Sequence, residues 1–124
     1  YGPPDRTHPA VSALLASTRL PAAVVVVDHA DTPYSWPTPA DPVVVVRPAE
    51  NGGYGAGINA GFAAAVERGA GPGDVVVAMN NDIAVYPDTM DRLAGWWRGR
   101  PEPGLVGVEV EYPNGAVTGG ATLN

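Results

Sequence analysis

Three runs of β-branched residues stand out along the chain: Val24 to Val27, Val43 to Val46, and Val75 to Val77 continued by Ala78-Met79. None alternates with polar positions. A strand with one wet face alternates; an unbroken apolar run is a strand buried on both faces, as in a parallel sheet covered by helices. A buried helical segment would also be unbroken, but β-branching, short length and flanking Pro, Gly and Asp select strand. Between these runs the apolar residues recur at helical spacing. Val11 to Arg19 is rich in Ala and Leu, and Ala56 to Arg68 gathers Ile58, Phe62, Ala65 and Val66 on one side. Asp88 to Trp97 opens after Pro87, with an acidic residue where a helix N-terminus favours one. Its apolar members Met90, Leu93, Ala94 and Trp97 repeat at three and four.

Leu105 to Tyr112 and Ala116 to Leu123 flank Pro113-Asn114-Gly115, and Asn-Gly between two such runs signals a hairpin. The predicted order is helix, strand, strand, helix, strand, helix and a hairpin, an α/β pattern with an antiparallel edge. The Pro-rich stretches Pro33 to Pro42 and Arg100 to Pro103 read as surface loops too short to link domains. An open α/β domain ordinarily begins with a strand. Here Tyr1 to Arg6 is polar and turn-forming, as in the loop after one, so either a leading strand lies before Tyr1 or the sheet lacks a member.

Composition narrows the function classes. The chain has 124 residues, enough for one domain, and 45% of them are hydrophobic, so a core is within reach. Its net charge of −6, with Arg as the only strong base, disfavours general nucleic-acid binding. A single nucleotide is not excluded, because a local site or a metal can offset a diphosphate. There is no cysteine, which removes disulfides, thiolate metal sites and Cys nucleophiles and fits a reducing compartment. No apolar run approaches the ~20 residues of a membrane span, and the start is not a signal peptide. A cytoplasmic location is expected, with any anchor at the inner face of the membrane lying outside this chain.

In open parallel sheets ligands bind beyond the carboxyl ends of the strands. The residues after the three runs are Asp28-His29-Ala30-Asp31, then Arg47 with Glu50-Asn51-Gly52-Gly53, and Asn80-Asn81-Asp82. Each set alone reads equally as a turn, since Asn and Asp favour turns. Parallel strands would bring all three to one crevice. The glycines from Gly52 to Gly61 either admit a phosphate at a helix N-terminus or allow tight helix-sheet packing. Gly55 to Ala60 also matches the dinucleotide pattern G-x-G-x-x-A, but eight residues separate Val46 from Gly55, whereas that loop follows its strand directly. Asp82 could hold a hard cation that bridges diphosphate oxygens. His8 and His29 are isolated. Glu109 and Glu111 share one strand face, which reads as solvated, and Trp96 and Trp97 read as packing residues.

Together these residues resemble family 2 glycosyltransferases of the GT-A fold. That family carries a strand ending in Val-Asp-Asn-x-Ser. It follows with Glu-Asn-x-Gly-Phe-x-x-Gly-x-Asn, and then with Asn-Pro-Asp or Asp-x-Asp before Pro-Asp-x-Leu. The chain shows Val26-Val27-Asp28-His29-Ala30-Asp31, then Glu50 through Asn59, then Met79-Asn80-Asn81-Asp82 with Pro87-Asp88-Thr89-Met90. The Asn-x-Asp variant is most similar to the rhamnosyltransferase-like branch, which serves cell-surface polysaccharide biosynthesis. The resemblance implies that residues 1–124 make a single, partial GT-A nucleotide-sugar-binding domain with a mostly parallel twisted sheet flanked by helices. It implies transfer of a sugar from a UDP- or dTDP-sugar to a hydroxyl of a glycan, lipid-linked or small-molecule acceptor, metal-assisted and inverting. Asp28 would accept a base NH; Asn51, Gly57 and Asn59 would line the nucleotide and diphosphate pocket; Asn80 would meet the ribose; Asp82 would ligate Mg²⁺ or Mn²⁺. The family's acidic base would follow Asn124, so donor binding without catalysis is expected, and an exposed sheet edge would favour a homodimer. An NAD(P)-binding domain, a nucleotidyltransferase and a non-catalytic nucleotide-binding domain are the alternatives.

Overall fold

The computed structural model describes residues 4–100, 104–118 and 122–123. Helix α1 spans Pro4–Leu15, strand β1 Val24–Val27 and strand β2 Val43–Val46. Helix α2 follows at Gly53–Glu67, helix α3 at Thr89–Trp97, and the short strands β3 and β4 at Leu105–Val106 and Thr122–Leu123. The first two valine runs pair as expected. They are parallel and in register from Val24↔Val43 to Val27↔Val46, and the pairing extends into Pro42, whose carbonyl accepts the Val24 amide at 2.7 Å.

Helices cover both faces of this pair. Val11 of α1, Val24 and Tyr34 form a buried cluster, with Leu14, Leu15, Val26, Trp36, Val43 and Val45 packed around it. Alternation along a strand turns Val25 and Val27 to the opposite face, and there α2 crosses. A Cβ placed on Gly61 would stand 3.2 Å from Val27 Cγ2, so glycine sets how closely α2 approaches β1. Gly61→Val is therefore expected to lose ~1–3 kcal/mol through overpacking. Gly61→Ala is expected to stay near neutral, because the roughly 1 kcal/mol gain in helix propensity offsets a small shift of Val27. Urea denaturation of both variants checks the pair; a Gly61→Val protein as stable as the parent would show that the approach is loose.

Three expectations are corrected. Helix α1 begins at Pro4, well before Val11, and ends at Leu15 rather than Arg19. Pro4 and Asp5 are good first-turn residues, and Pro9 stays within the helix because the carbonyl it leaves unpaired belongs to Asp5, at the exposed start. Second, Val75 to Met79 is not a strand. No main-chain hydrogen bond among the described residues involves these positions, and Val76 is 51% exposed. The run has strand-forming residues but pairs with no strand among the described residues. The parallel sheet is consequently two-stranded, so "mostly parallel twisted sheet" overstates it. Third, Pro33 to Pro42 is more than a surface loop, since Tyr34 within it is buried in the core. Trp36 stacks on His8 of α1 at 4.6 Å and donates its Nε1–H to Asp41 at 2.7 Å.

Helices α2 and α3 lie close to their predicted ranges. The hairpin is present: β3 pairs antiparallel with β4, and Glu111 bridges Val117 in the same register. The Gly115 amide bonds to Tyr112 O at 2.8 Å and Gly115 has φ +80°, while Asn114 keeps negative φ. This is a type I turn completed by a left-handed glycine, the three-residue hairpin loop. Glu109 and Glu111 are exposed as expected, and Glu111 accepts the Tyr86 hydroxyl proton at 2.5 Å. Residues 101–103 of the second Pro-rich loop, and residues 119–121 and 124 near the hairpin, lie outside the described set.

Candidate functional site

Parallel register positions the first site residues. Because Val27 faces Val46, the next residues on each strand, Asp28 and Arg47, come side by side. Asp28 is 7% exposed. Its Oδ1 accepts the Ala30 amide at 2.9 Å, and its Oδ2 accepts the Tyr34 amide at 2.8 Å and a proton from Arg47 Nη1. Arg47 Nη2 reaches Ala30 O at 2.8 Å. Burial alone would push the Asp28 pKa up; the Tyr34 and Ala30 amides and the Arg47 guanidinium outweigh it, and the net shift is downward. The carboxylate is thus an ionised organiser of the loop that leaves β1. Each carboxylate oxygen offers two lone pairs, so one on Oδ1 is uncommitted among the described residues. Arg47 was not singled out from sequence as a partner of Asp28, although the registered valine runs carry that information.

The second group opens α2. Asn51 Oδ1 accepts the Gly53 amide at 3.0 Å, a local turn leading into the helix. The N-cap residue is Gly52, with no side-chain cap and no acidic residue in the first turn. The first amides of a helix lack intrahelical acceptors, and an uncapped N-terminus carries a partial positive charge. Gly55 and Gly57 lie within α2, so the dinucleotide-like pattern is helical and not a strand-to-helix turn. Gly57 is half-buried and Asn59 exposed.

The third group is held by α1. Asn81 donates to Thr7 Oγ1 at 3.0 Å, and Arg6 stands 4.0 Å from Asp82. His8, beside Thr7, stacks on Trp36 in the loop leaving β1. The start of α1 and residues 80–82 therefore lie together.

Asp28, Asn51, Gly57, Asn59 and Asn80 all border one cleft of about 1620 Å³, which also runs along the whole of β1 and past Pro42, Met90 and Trp97, so the five share a border and not one contact set. Small-ligand pockets are commonly ≈ 300–1,000 Å³, so this one exceeds a single small molecule. Asp82 does not line it and keeps its side chain 52% exposed beside Arg6. Among the described residues no group of three or more His, Cys, Asp or Glu is gathered for a metal. Hard cations take six or more oxygens, and one carboxylate facing an arginine does not supply them; these residues do not by themselves fit a resident Mg²⁺ or Mn²⁺. Tyr34 and His29 also line the cleft. Among the described residues the buried Tyr34 hydroxyl and His29 Nε2 have no hydrogen-bond partner, and burial raises the Tyr34 pKa. Neither signalled a site from sequence: Tyr34 stood inside a proline-rich loop, and His29 stood alone.

No protein-family model, curated protein or solved structure matches the chain. Among the described residues no helix is long and apolar enough to cross a membrane.

Proposed function

We propose that this chain is the donor-binding portion of a family 2 glycosyltransferase, taking a UDP- or dTDP-sugar for inverting transfer to an acceptor hydroxyl. The observation that supports this reading is the arrival of Asp28, Asn51, Gly57, Asn59 and Asn80, from separate parts of the sequence, on one cleft. In this reading the start of α2 receives the diphosphate on the amides that follow Gly53, whose own amide is taken by Asn51, with Asn59 beside them. The remaining lone pair of Asp28 Oδ1 takes the base NH, and Asn80 takes the ribose. Asp28 is ion-paired and its pKa is lowered, which makes it a weak base. The 124 residues are accordingly expected to bind donor and not to transfer sugar. The helical placement of Gly55 and Gly57 disfavours the dinucleotide alternative, whose glycines form the turn directly after a strand.

Isothermal titration with UDP and with dTDP, each with and without Mn²⁺, tests this. Saturable binding is expected, and Asn51→Ala or Asn59→Ala should weaken it about 3- to 10-fold, the worth of one hydrogen bond. Absence of heat at millimolar nucleotide in a folded sample would reject the reading. If Mn²⁺ strengthens binding, Asp82→Ala should remove that increment; a metal response that survives the substitution would separate Asp82 from it.

A further inference from the structure

Two Asn-Gly pairs occur in the chain, Asn51-Gly52 before α2 and Asn114-Gly115 in the hairpin. Both are exposed to water. In each, the asparagine Oδ1 accepts the amide two residues on, Gly53 for Asn51 and Ala116 for Asn114, both at 3.0 Å. That donor sits on the oxygen that gains negative charge when a nucleophile attacks the side-chain carbonyl carbon, and a donor so placed assists the attack. The nucleophile tethered nearest is the main-chain nitrogen of the following glycine, which has no Cβ to crowd its approach.

The two pairs differ at that nitrogen. The Gly115 amide is committed to Tyr112 O at 2.8 Å. The Gly52 amide donates to no main-chain carbonyl among the described residues. It also precedes the first turn of α2, which holds no acidic residue and whose amides carry a partial positive charge that favours an anion formed beside them.

We propose that Asn51 is a site of spontaneous deamidation in the folded chain, converting well ahead of Asn114. The Gly52 amide gives its proton to solvent base, and its nitrogen bonds to Asn51 Cγ. The Cγ–Nδ2 bond breaks, and Nδ2 takes a proton from water and leaves as ammonia. Water then opens the cyclic imide and leaves aspartate or isoaspartate at position 51. No oxidant and no second protein enters. Packing retains the glycine that makes the step easy: a Cβ at position 52 would stand 2.7 Å from Ala56 Cβ, so bulkier residues that slow the attack would shift the start of α2. The product is a carboxylate at the border of the cleft that Asn51 shares. On the donor-binding reading, on which this consequence alone rests, the new charge repels the diphosphate and weakens nucleotide binding by more than about 10-fold.

Peptide mapping by mass spectrometry tests the proposal on the unaltered chain, kept folded in warm, mildly alkaline buffer. The fragment with Asn51 should show the mass change from amide to acid and separate into aspartate and isoaspartate forms, at a rate about 5-fold or more above that at Asn114. The factor is the cost of first freeing the Gly115 amide from its hydrogen bond. In urea the two rates should converge, because both glycine amides are then free. Equal rates in the folded chain, a faster Asn114, or a difference that persists in urea would overturn it. So would an Asn51 that stays intact when folded while the unfolded chain converts. Titration of UDP into the converted protein and into Asn51→Asp reads the consequence, and an unchanged Kd would remove it. A parent chain that binds no nucleotide rejects the donor-binding reading instead, while the mass map still decides the modification.

Discussion

Replacing Asp28 with alanine is expected to cost about 3 kcal/mol and to lower the thermal midpoint by roughly 10 °C. The carboxylate is buried and accepts the amides of Ala30 and Tyr34 as well as the Arg47 guanidinium. A hydrogen bond to a charged group is worth ≈ 1.5–3 kcal/mol, and an amide left buried without a partner adds its own penalty. Arg47 is 41% exposed, so water rehydrates it and its share is discounted. Asp28→Asn keeps one acceptor oxygen and is expected to lose about half as much. The sign of the pH effect follows from the lowered pKa. The folded state holds the carboxylate ionised below its ordinary value of 3.8. Its contribution is therefore complete well above that pH and is lost as pH falls through the lower folded value. The parent should lose stability there relative to Asp28→Asn, and the gap between the two should narrow in acid. Thermal melts of the three proteins at pH 7, 4 and 3 measure this; a gap that does not change with pH would deny the ionised state its role.

Tyr34→Ala is expected to cost about 3–5 kcal/mol, the range for emptying an aromatic site in a core. Tyr34→Phe is expected to change stability by less than about 1 kcal/mol. The ring of Tyr34 is 7% exposed and packs with Val11 and Val24, which pins the loop between β1 and β2 over α1. Its hydroxyl has no partner among the described residues, so removing it breaks no bond to them. The two variants separate ring from hydroxyl in one denaturation series. A large loss from Tyr34→Phe would mean that the hydroxyl is held within the folded protein after all.

Much of the framework was readable from local pattern. Unbroken valine runs identified β1 and β2 and their parallel pairing, because a sheet covered on both faces favours them. Pro87 marked the entry to α3, and Asn114-Gly115 marked the hairpin, because these residues constrain the backbone directly. What escaped were features that need a partner. Val75 to Met79 has the composition of β1 but pairs with nothing, and β-propensity does not report whether an edge is near. Helix α1 starts among prolines because its stability comes from burying Val11, Leu14 and Leu15 against the sheet, which outweighs the weak local preference. Asp28 and Asn51, which follow β1 and β2, border one cleft; Asn80 borders it too, although the run before it is not a strand. The position of Asp82, beside Arg6 and outside that cleft, was not legible in the sequence. The commitment of Asp28 to Arg47 emerges only once the register is fixed.

The polar margin formed by Asp28, Asn51, Gly57, Asn59 and Asn80 is the centre of this account, and a nucleotide titration followed by ¹H–¹⁵N NMR examines it residue by residue. Adding UDP or dTDP should shift the amides of residues 28–30, 51–59 and 80–81 along one saturable isotherm while the hairpin stays still. Unmoved spectra at millimolar nucleotide, or shifts confined to surfaces away from those residues, would contradict it.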